Sequence, residues 1–443
     1  MKKRQMITIV LVLSILACAL SSCSSAEKSS GSSNDTGNKT ASATTEKISE
    51  KNDTTEQSTE TEPDNIVLSG DLDNISWKLS SDDTLYIYGT GSTPYDLYQK
   101  FGEVVNIVVG DGITEISSIL FNEFKELESI TISGTVERLT NDINPKLIPF
   151  NDCPKLKTIN ISEDNPYYSS DDGVLFNKTK TELIKYPIGK ENTEYEIPDG
   201  TKAIAKHAFA KNSYLEGINI PDSINEISDA AFAECSSLVS ASLPDSVNEI
   251  SYDLFRECSS LKNVVIPDSI TVIRGYAFID CVELNDLLIP EKVQEIEGYA
   301  FRNCSSLKNV NVPDSVEELG QGVFADCSGL DYAVIGKNVK ELSYTFDNSG
   351  IIGVTFNGKT KLGSKVFNDC KNLKWLELSK DGISFEPLEI LYLFEGSEYP
   401  EIYYNGTEEE FNSLDKQERT YINIIAGSPN PKIFINSTAP DQD

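Results

Sequence analysis

From Gly110 onward the chain repeats one pattern of apolar and polar positions. Prolines fall at Pro198, Pro221, Pro244, Pro267, Pro290 and Pro313, each 23 residues after the last. Phe209, Phe232, Phe255, Phe278, Phe301 and Phe324 keep the same step, as do Cys235, Cys258, Cys281, Cys304 and Cys327. Within one unit, Leu261, Val264 and Ile266 alternate with polar positions as a strand does, so these three face inward while Asn263 and Val265 face out. Pro267 ends the strand, and Pro267-Asp268-Ser269 supplies turn chemistry. The following Ala277-Phe278-x-x-Cys281 leaves room for no more than a turn or two of helix. A unit this short cannot bury an apolar face alone and has to stack on its neighbours. The pattern predicts a leucine-rich-repeat type of solenoid, mainly β with short helical turns, with a parallel sheet and one phenylalanine per coil in a column.

The frame extends over 110–378. Gly110 to Ile132 is a full copy with Phe124 in the cysteine position, and 133–161 is a copy with six extra residues that recovers the frame at Phe150, Cys153 and Leu156. Two slightly short copies follow Gly336, carrying Phe346, then Phe367 and Cys370. An irregular stretch, 162–197, interrupts the array, and Gly173–Phe176 and Leu183–Tyr186 flank a polar turn there as a hairpin would. Solenoid ends need covering. Residues 66–109 suit a β-rich N-terminal cap, with Trp77–Leu79 and Leu85–Tyr88 as a hairpin. Residues 379–443 suit an α+β C-terminal cap, in which Thr407 with Glu410 is a capping-box pattern opening a short helix.

Units such as Ile266-Pro267-Asp268-Ser269-Ile270 with Ala277-Phe278-x-x-Cys281 resemble the BspA-like leucine-rich repeats of bacterial surface proteins. Asn165-Pro166 with Asp172-Gly173-Val174-Leu175-Phe176 resembles the hairpin that interrupts such arrays. The run from Ile402 to Phe411 resembles their C-terminal unit. The resemblance implies adhesion or surface contact without a shared pocket, and it brings no catalytic residues.

The N-terminus reads as an address. Met1-Lys2-Lys3-Arg4 precedes an apolar run from Met6 to Leu20, the order of a secretory signal. As a helix that run reaches about 22 Å, short of a bilayer core of about 30 Å. Leu20-Ser21-Ser22-Cys23 resembles the bacterial lipobox, which implies a signal peptide over 1–22, lipid on Cys23 and attachment to the outer side of a bacterial membrane. Residues 23–65 are rich in Ser, Thr and Glu and almost free of apolar side chains, so a disordered tether is expected.

Charge narrows the partners. Thirty-eight Lys+Arg against 70 Asp+Glu give −32, a surface that repels phosphate backbones and argues against nucleic acid. The single histidine, His207, has Ala230, Asp253, Tyr276, Tyr299 and Gly322 at the equivalent positions, and reads as an exposed variable site. Seven cysteines share one repeat position; neighbours in stacked coils point the same way, so they read as a buried ladder of small side chains rather than disulfides. Glu226, Glu249, Glu295, Glu318 and Glu341 form one carboxylate column, and Asp222, Asp245, Asp268, Glu291 and Asp314 another. Val272 and Lys337 break them, and solvated faces explain both without a metal. No cofactor or enzymatic motif is present.

The outward strand positions carry the remaining signal. They are small and polar early and turn apolar and aromatic later, which marks Val265, Asp286, Leu288, Tyr332, Val334 and Trp375 as ligand-binding candidates. Parallel stacking would set Leu288 about 4.8 Å from Val265 on one side and Asn311 on the other. Trp375 is equally open to packing under the C-terminal unit. The sequence therefore predicts a lipid-anchored, extracytoplasmic, non-enzymatic repeat protein presenting a surface to a protein or glycan. A structural cell-envelope component without a dedicated ligand is the alternative.

Overall fold

The computed structural model describes residues 65–94, 97, 101, 103–117, 124–139, 150–385, 392–427 and 431–440. The expected signal peptide, Cys23 and the expected tether up to residue 64 lie outside the described residues.

Three antiparallel strands, Ile66–Leu72, Ile75–Ser80 and Thr84–Gly89, open the fold. The third also pairs in parallel with Asn106–Val109, so coil stacking begins at Thr84, ahead of Gly110. That ladder continues through Ser129–Ile132 and ends at Thr158–Ile161. A second ladder joins Glu194–Glu196, Gly217–Asn219, Ser240–Ser242 and Asn263–Val265; a third runs from Asn309–Val312 to Ile433–Ile435. Register follows the sequence period, Ser240 lying opposite Asn263 and Asn309 opposite Tyr332. A second wall holds two-residue strands such as Glu249–Ile250, Val272–Ile273 and Glu295–Ile296, again in parallel register.

The phenylalanines form the predicted column. From Phe209 to Phe367 successive ring centroids lie 5.0–6.1 Å apart and nearly parallel, and Tyr186 caps the column 5.1 Å from Phe209. Offset stacking of buried rings adds roughly 0.5–1.5 kcal/mol per pair beyond the area removed from water. All seven described cysteines are buried thiols outside any disulfide. Most donate their S–H to the carbonyl of the phenylalanine one coil back, as Cys281 does to Phe255 at 3.1 Å and Cys304 to Phe278 at 3.3 Å. Burial pushes the Cys235 and Cys327 thiols up to about 12, which leaves them protonated and inert.

The turns around each phenylalanine are a third wall, held differently from a helix. The residues two before and two after the ring sit at positive φ, and apart from Gly322 none of those between Phe209 and Phe367 is glycine, as at Tyr276 (59°) and Asp280 (62°). The N–H groups of Tyr276, Phe278 and Asp280 donate to Gly298, Ala300 and Arg302 in the next coil at 3.2, 2.8 and 2.9 Å. These bonds between coils offset the steric cost of the left-handed conformation.

The interrupting segment supplies three strands, Tyr168–Asp171, Val174–Asn177 and Glu182–Lys185, of a five-stranded sheet that continues through Ala203–Ile204 to Glu226–Ile227. It includes the predicted hairpin and one strand more. It also divides the core: Leu175 packs with the N-terminal side chains, while Val174 and Phe176 join the larger core that extends to Ala426. At the C-terminus Thr407 and Glu410 make the predicted capping box on helix Glu408–Ser413. Helix Lys416–Ile425 follows, its Glu418 paired with Lys359.

Candidate functional site

Strand alternation puts two columns of side chains on the outer face of the main ladder. In coil 261–266, Leu261, Val264 and Ile266 are buried, whereas Asn263 is exposed and Val265 keeps 59% of its surface. Leu288 is 76% exposed, and Asp286 is exposed beside it. Tyr332 and Val334 are half-buried. The structure thus gathers Val265, Asp286 and Leu288 at one place on the surface.

Trp375 departs from the outward assignment. Only 5% of it is exposed. Its cross-strand neighbour is Gly353, where an added Cβ would fall 2.1 Å from the indole. The ring lies down over that glycine and stacks on Tyr332 at 6.0 Å and 22°. On its other side the register partner is Glu401 of the C-terminal unit. An aromatic side chain on a strand face covers a neighbouring glycine rather than standing in water, so Trp375 is packing and Tyr332 is its partner. Gly353 at the paired position was the available signal.

Leu288 also differs from its expected setting. Its coil makes a single bridge, Asn263 to Asp286, and the ladder resumes only at Asn309. Leu287 takes the inward place that Val264 and Val310 fill elsewhere, and this longer side chain stays half-buried where the valines are buried. Leu288 therefore stands at a seam in the sheet instead of between two paired strands.

Beside the Val265 lip lies a groove of about 610 Å³ that sequence reasoning missed. Gly217, Ser240 and Ser242 form its floor, with Glu194, Glu196 and Asn219 at one side and Asn263 and Val265 at the other. Its signal was the run of small residues between taller neighbours, which a search for exposed apolar side chains passes over.

The charged columns are laced by ion pairs. Arg274 joins Glu249 at 2.7 Å and Glu297 at 2.9 Å, and Lys337 joins Asp314 at 2.8 Å. Among the described residues no His, Cys, Asp or Glu group could hold a metal ion. His207 is half-buried rather than exposed; burial, then the Lys185 charge, lowers its pKa to about 4. Among the described residues no helix is long and apolar enough to cross a membrane.

The family model described as BspA type Leucine rich repeat region matches six copies, over residues 95–194, 188–308 and 248–374. The chain belongs to the BspA-type leucine-rich-repeat family. Solved structures share the repeat. A leucine-rich repeat protein from Bacteroides ovatus is 18% identical, with 78% of this chain and 100% of that chain covered and a TM-score of 0.47. One from Eubacterium ventriosum is 21% identical over 58% of this chain and 93% of that one, TM-score 0.40. A leucine rich cell surface protein from Faecalibacterium prausnitzii is 21% identical over 79% and 97%, TM-score 0.37. No curated protein matches in sequence. The BspA-type repeat accounts for the column of phenylalanines and the coil-to-coil register; it assigns no ligand.

Proposed function

We propose that this BspA-type protein is carried outside the cell by its leader, anchored through lipid on Cys23, and binds a surface protein or glycan with its outer strand face. The observation that carries the binding reading is the pair Val265 and Leu288, exposed at 59% and 76%, with Val265 at the edge of a polar groove. Isolated exposed leucines are ordinary, but two large aliphatic side chains in successive coils, one of them at the lip of a groove, are suited to contacting a partner. Asp286 and Asn263 would set its orientation. With a formal charge of −32, a neutral or basic partner is favoured, and its approach would be salt-sensitive. Tyr332 and Val334 belong to the margin of this surface, where Trp375 packs against Tyr332.

The test is a double change, Val265→Ser with Leu288→Ser, assayed by attachment to envelope extract and matrix preparations. Neither side chain faces the core, so melting should stay nearly constant. Attachment should weaken tenfold or more, about 1.4 kcal/mol. Unchanged attachment would sink this face as the site, and absence of any saturable attachment by the unaltered protein would favour the structural-component reading.

A further inference from the structure

The interrupting sheet has a property that neither the repeat nor the binding face explains. The first ladder ends at Thr158–Ile161, and among the described residues no parallel strand continues it. Its open edge meets the hairpin instead: Ile159 N–H donates to Gly173 at 2.9 Å, and Ile161 N–H to the Ser170 hydroxyl at 3.1 Å. The hairpin itself is hydrogen-bonded into the second array, because Glu182–Lys185 pairs in parallel with Ala203–Ile204. Two separate cores meet here, with Leu175 on one side and Val174 and Phe176 on the other. Ion pairs cross the junction from Lys211 to Asp152 at 2.7 Å and from Lys157 to Glu191 at 3.5 Å.

Lys185 lies at this junction with no exposed surface. Its ammonium has three donors, and its hydrogen bond is to the His207 carbonyl at 2.9 Å. Asp152 and Cys153 approach from the first array, Lys211 and Cys235 from the second. Burying a charge with so few acceptors is costly. The cost falls where the ladder is already broken.

We propose that this junction is a joint: the body ending at Ile161 parts locally from the array that follows, and the buried Lys185 ammonium sets how readily it does so. The joint lies between residue 65, where the described chain begins, and the strand face, so its opening reorients that face whatever the face binds. The Lys185 pKa falls from 10.5 to about 8 through burial. In the opened form the side chain meets water and regains its ordinary value. The closed form thus holds the proton less tightly, and closure is favoured as pH rises from about 8 towards 10.5. Below pH 8 this group contributes no pH dependence.

Hydrogen exchange on the mature chain tests this, with intrinsic rates corrected for pH. The Ile159 and Gly189 amides, bonded to Gly173 and Leu156, report opening of the junction, and the Phe278 and Phe301 amides report the mid-array. Junction protection should rise about 30-fold between pH 7 and 9.5, the change implied by a shift from 10.5 to about 8. Lys185→Met should raise junction protection at pH 7 and remove the pH dependence. Lys185→Arg, still charged, should lower protection at both pH values. Junction amides protected as strongly as Phe278, or the same pH slope in the native chain and Lys185→Met, would overturn the proposal.

Discussion

The central coils, from Pro198 to Pro313, and the coils after Gly336 solve the same stacking problem with different residues. Central coils keep 23 residues, end each strand with proline and follow it with a carboxylate. In the later coils the step between phenylalanines falls to 22 and then 21, as Phe324, Phe346 and Phe367 show. There glycine replaces proline at Gly336 and Gly358, and lysine replaces the carboxylate at Lys337 and Lys359. A Cβ on Gly336 would meet the Pro313 carbonyl at 2.3 Å, and one on Gly358 the Lys337 carbonyl at 2.1 Å. At both positions the turn lies against the turn before and only a residue without Cβ fits, although the step is still 23 residues at Gly336 and falls to 22 at Gly358. The sign change has a cause as well: Lys359 pairs with Glu418 of the C-terminal helix, and Lys337 with Asp314. The shared period thus fixes the core, while turn residues answer to local neighbours.

Three perturbations would break or sharpen this contrast. The largest effect belongs to the shared core. Phe278→Ala removes a ring stacked at 5.4 Å on Phe255 and 5.1 Å on Phe301, and should lower unfolding free energy by about 3–5 kcal/mol. A loss below about 1 kcal/mol in denaturant melts would mean that the column is dispensable. A medium effect should separate the two regions. Gly358→Ala forces a Cβ against backbone and should cost about 1–3 kcal/mol. Gly217→Ala, whose Cβ would meet only the Glu194 side chain at 3.9 Å, should stay within about 0.5 kcal/mol. Equal melting shifts for the two would refute the tight-turn account. The smallest effect is Cys281→Ala, about 1 kcal/mol for a small buried group with one weak hydrogen bond. In parallel, the seven described cysteines should resist thiol reagents in the native protein and react after denaturation. Reaction of several of them without denaturation would contradict the buried ladder.

Much of this was legible because a strict period converts sequence position into spatial position. The phenylalanine column, the inward valines and the thiol ladder each follow from the 23-residue step. Trp375 was left open between surface and packing because its burial depends on the paired Gly353, and that pairing requires the shortened register. The seam at Leu288 depends on how deep Leu287 can sit, a matter of packing rather than pattern. The strand Tyr168–Asp171 has mixed polar residues and gains its order from pairing with Val174–Asn177. Lys185 shares a strand face with the buried Leu183, but a lysine next to a turn reads as a surface residue, and only the meeting of two cores buries it. The positive-φ residues escaped notice because none of Tyr276, Asp280 or Tyr299 is a glycine.

The wall of turns has an electrical consequence. In His207, Phe209 and Lys211 each N–H points forward to Asp229, Ala231 and Ala233, and the same sense holds at Tyr276, Phe278 and Asp280. Peptide groups aligned head to tail add their dipoles, as they do in an α-helix, although no helix is present in this wall. The carbonyl end of that array faces the N-terminal side, where a row of partial negative charges accumulates. Lys185 sits at that end, its ammonium on the His207 carbonyl. The buried cation is thus placed at the negative pole of a macrodipole that the solenoid makes out of turns.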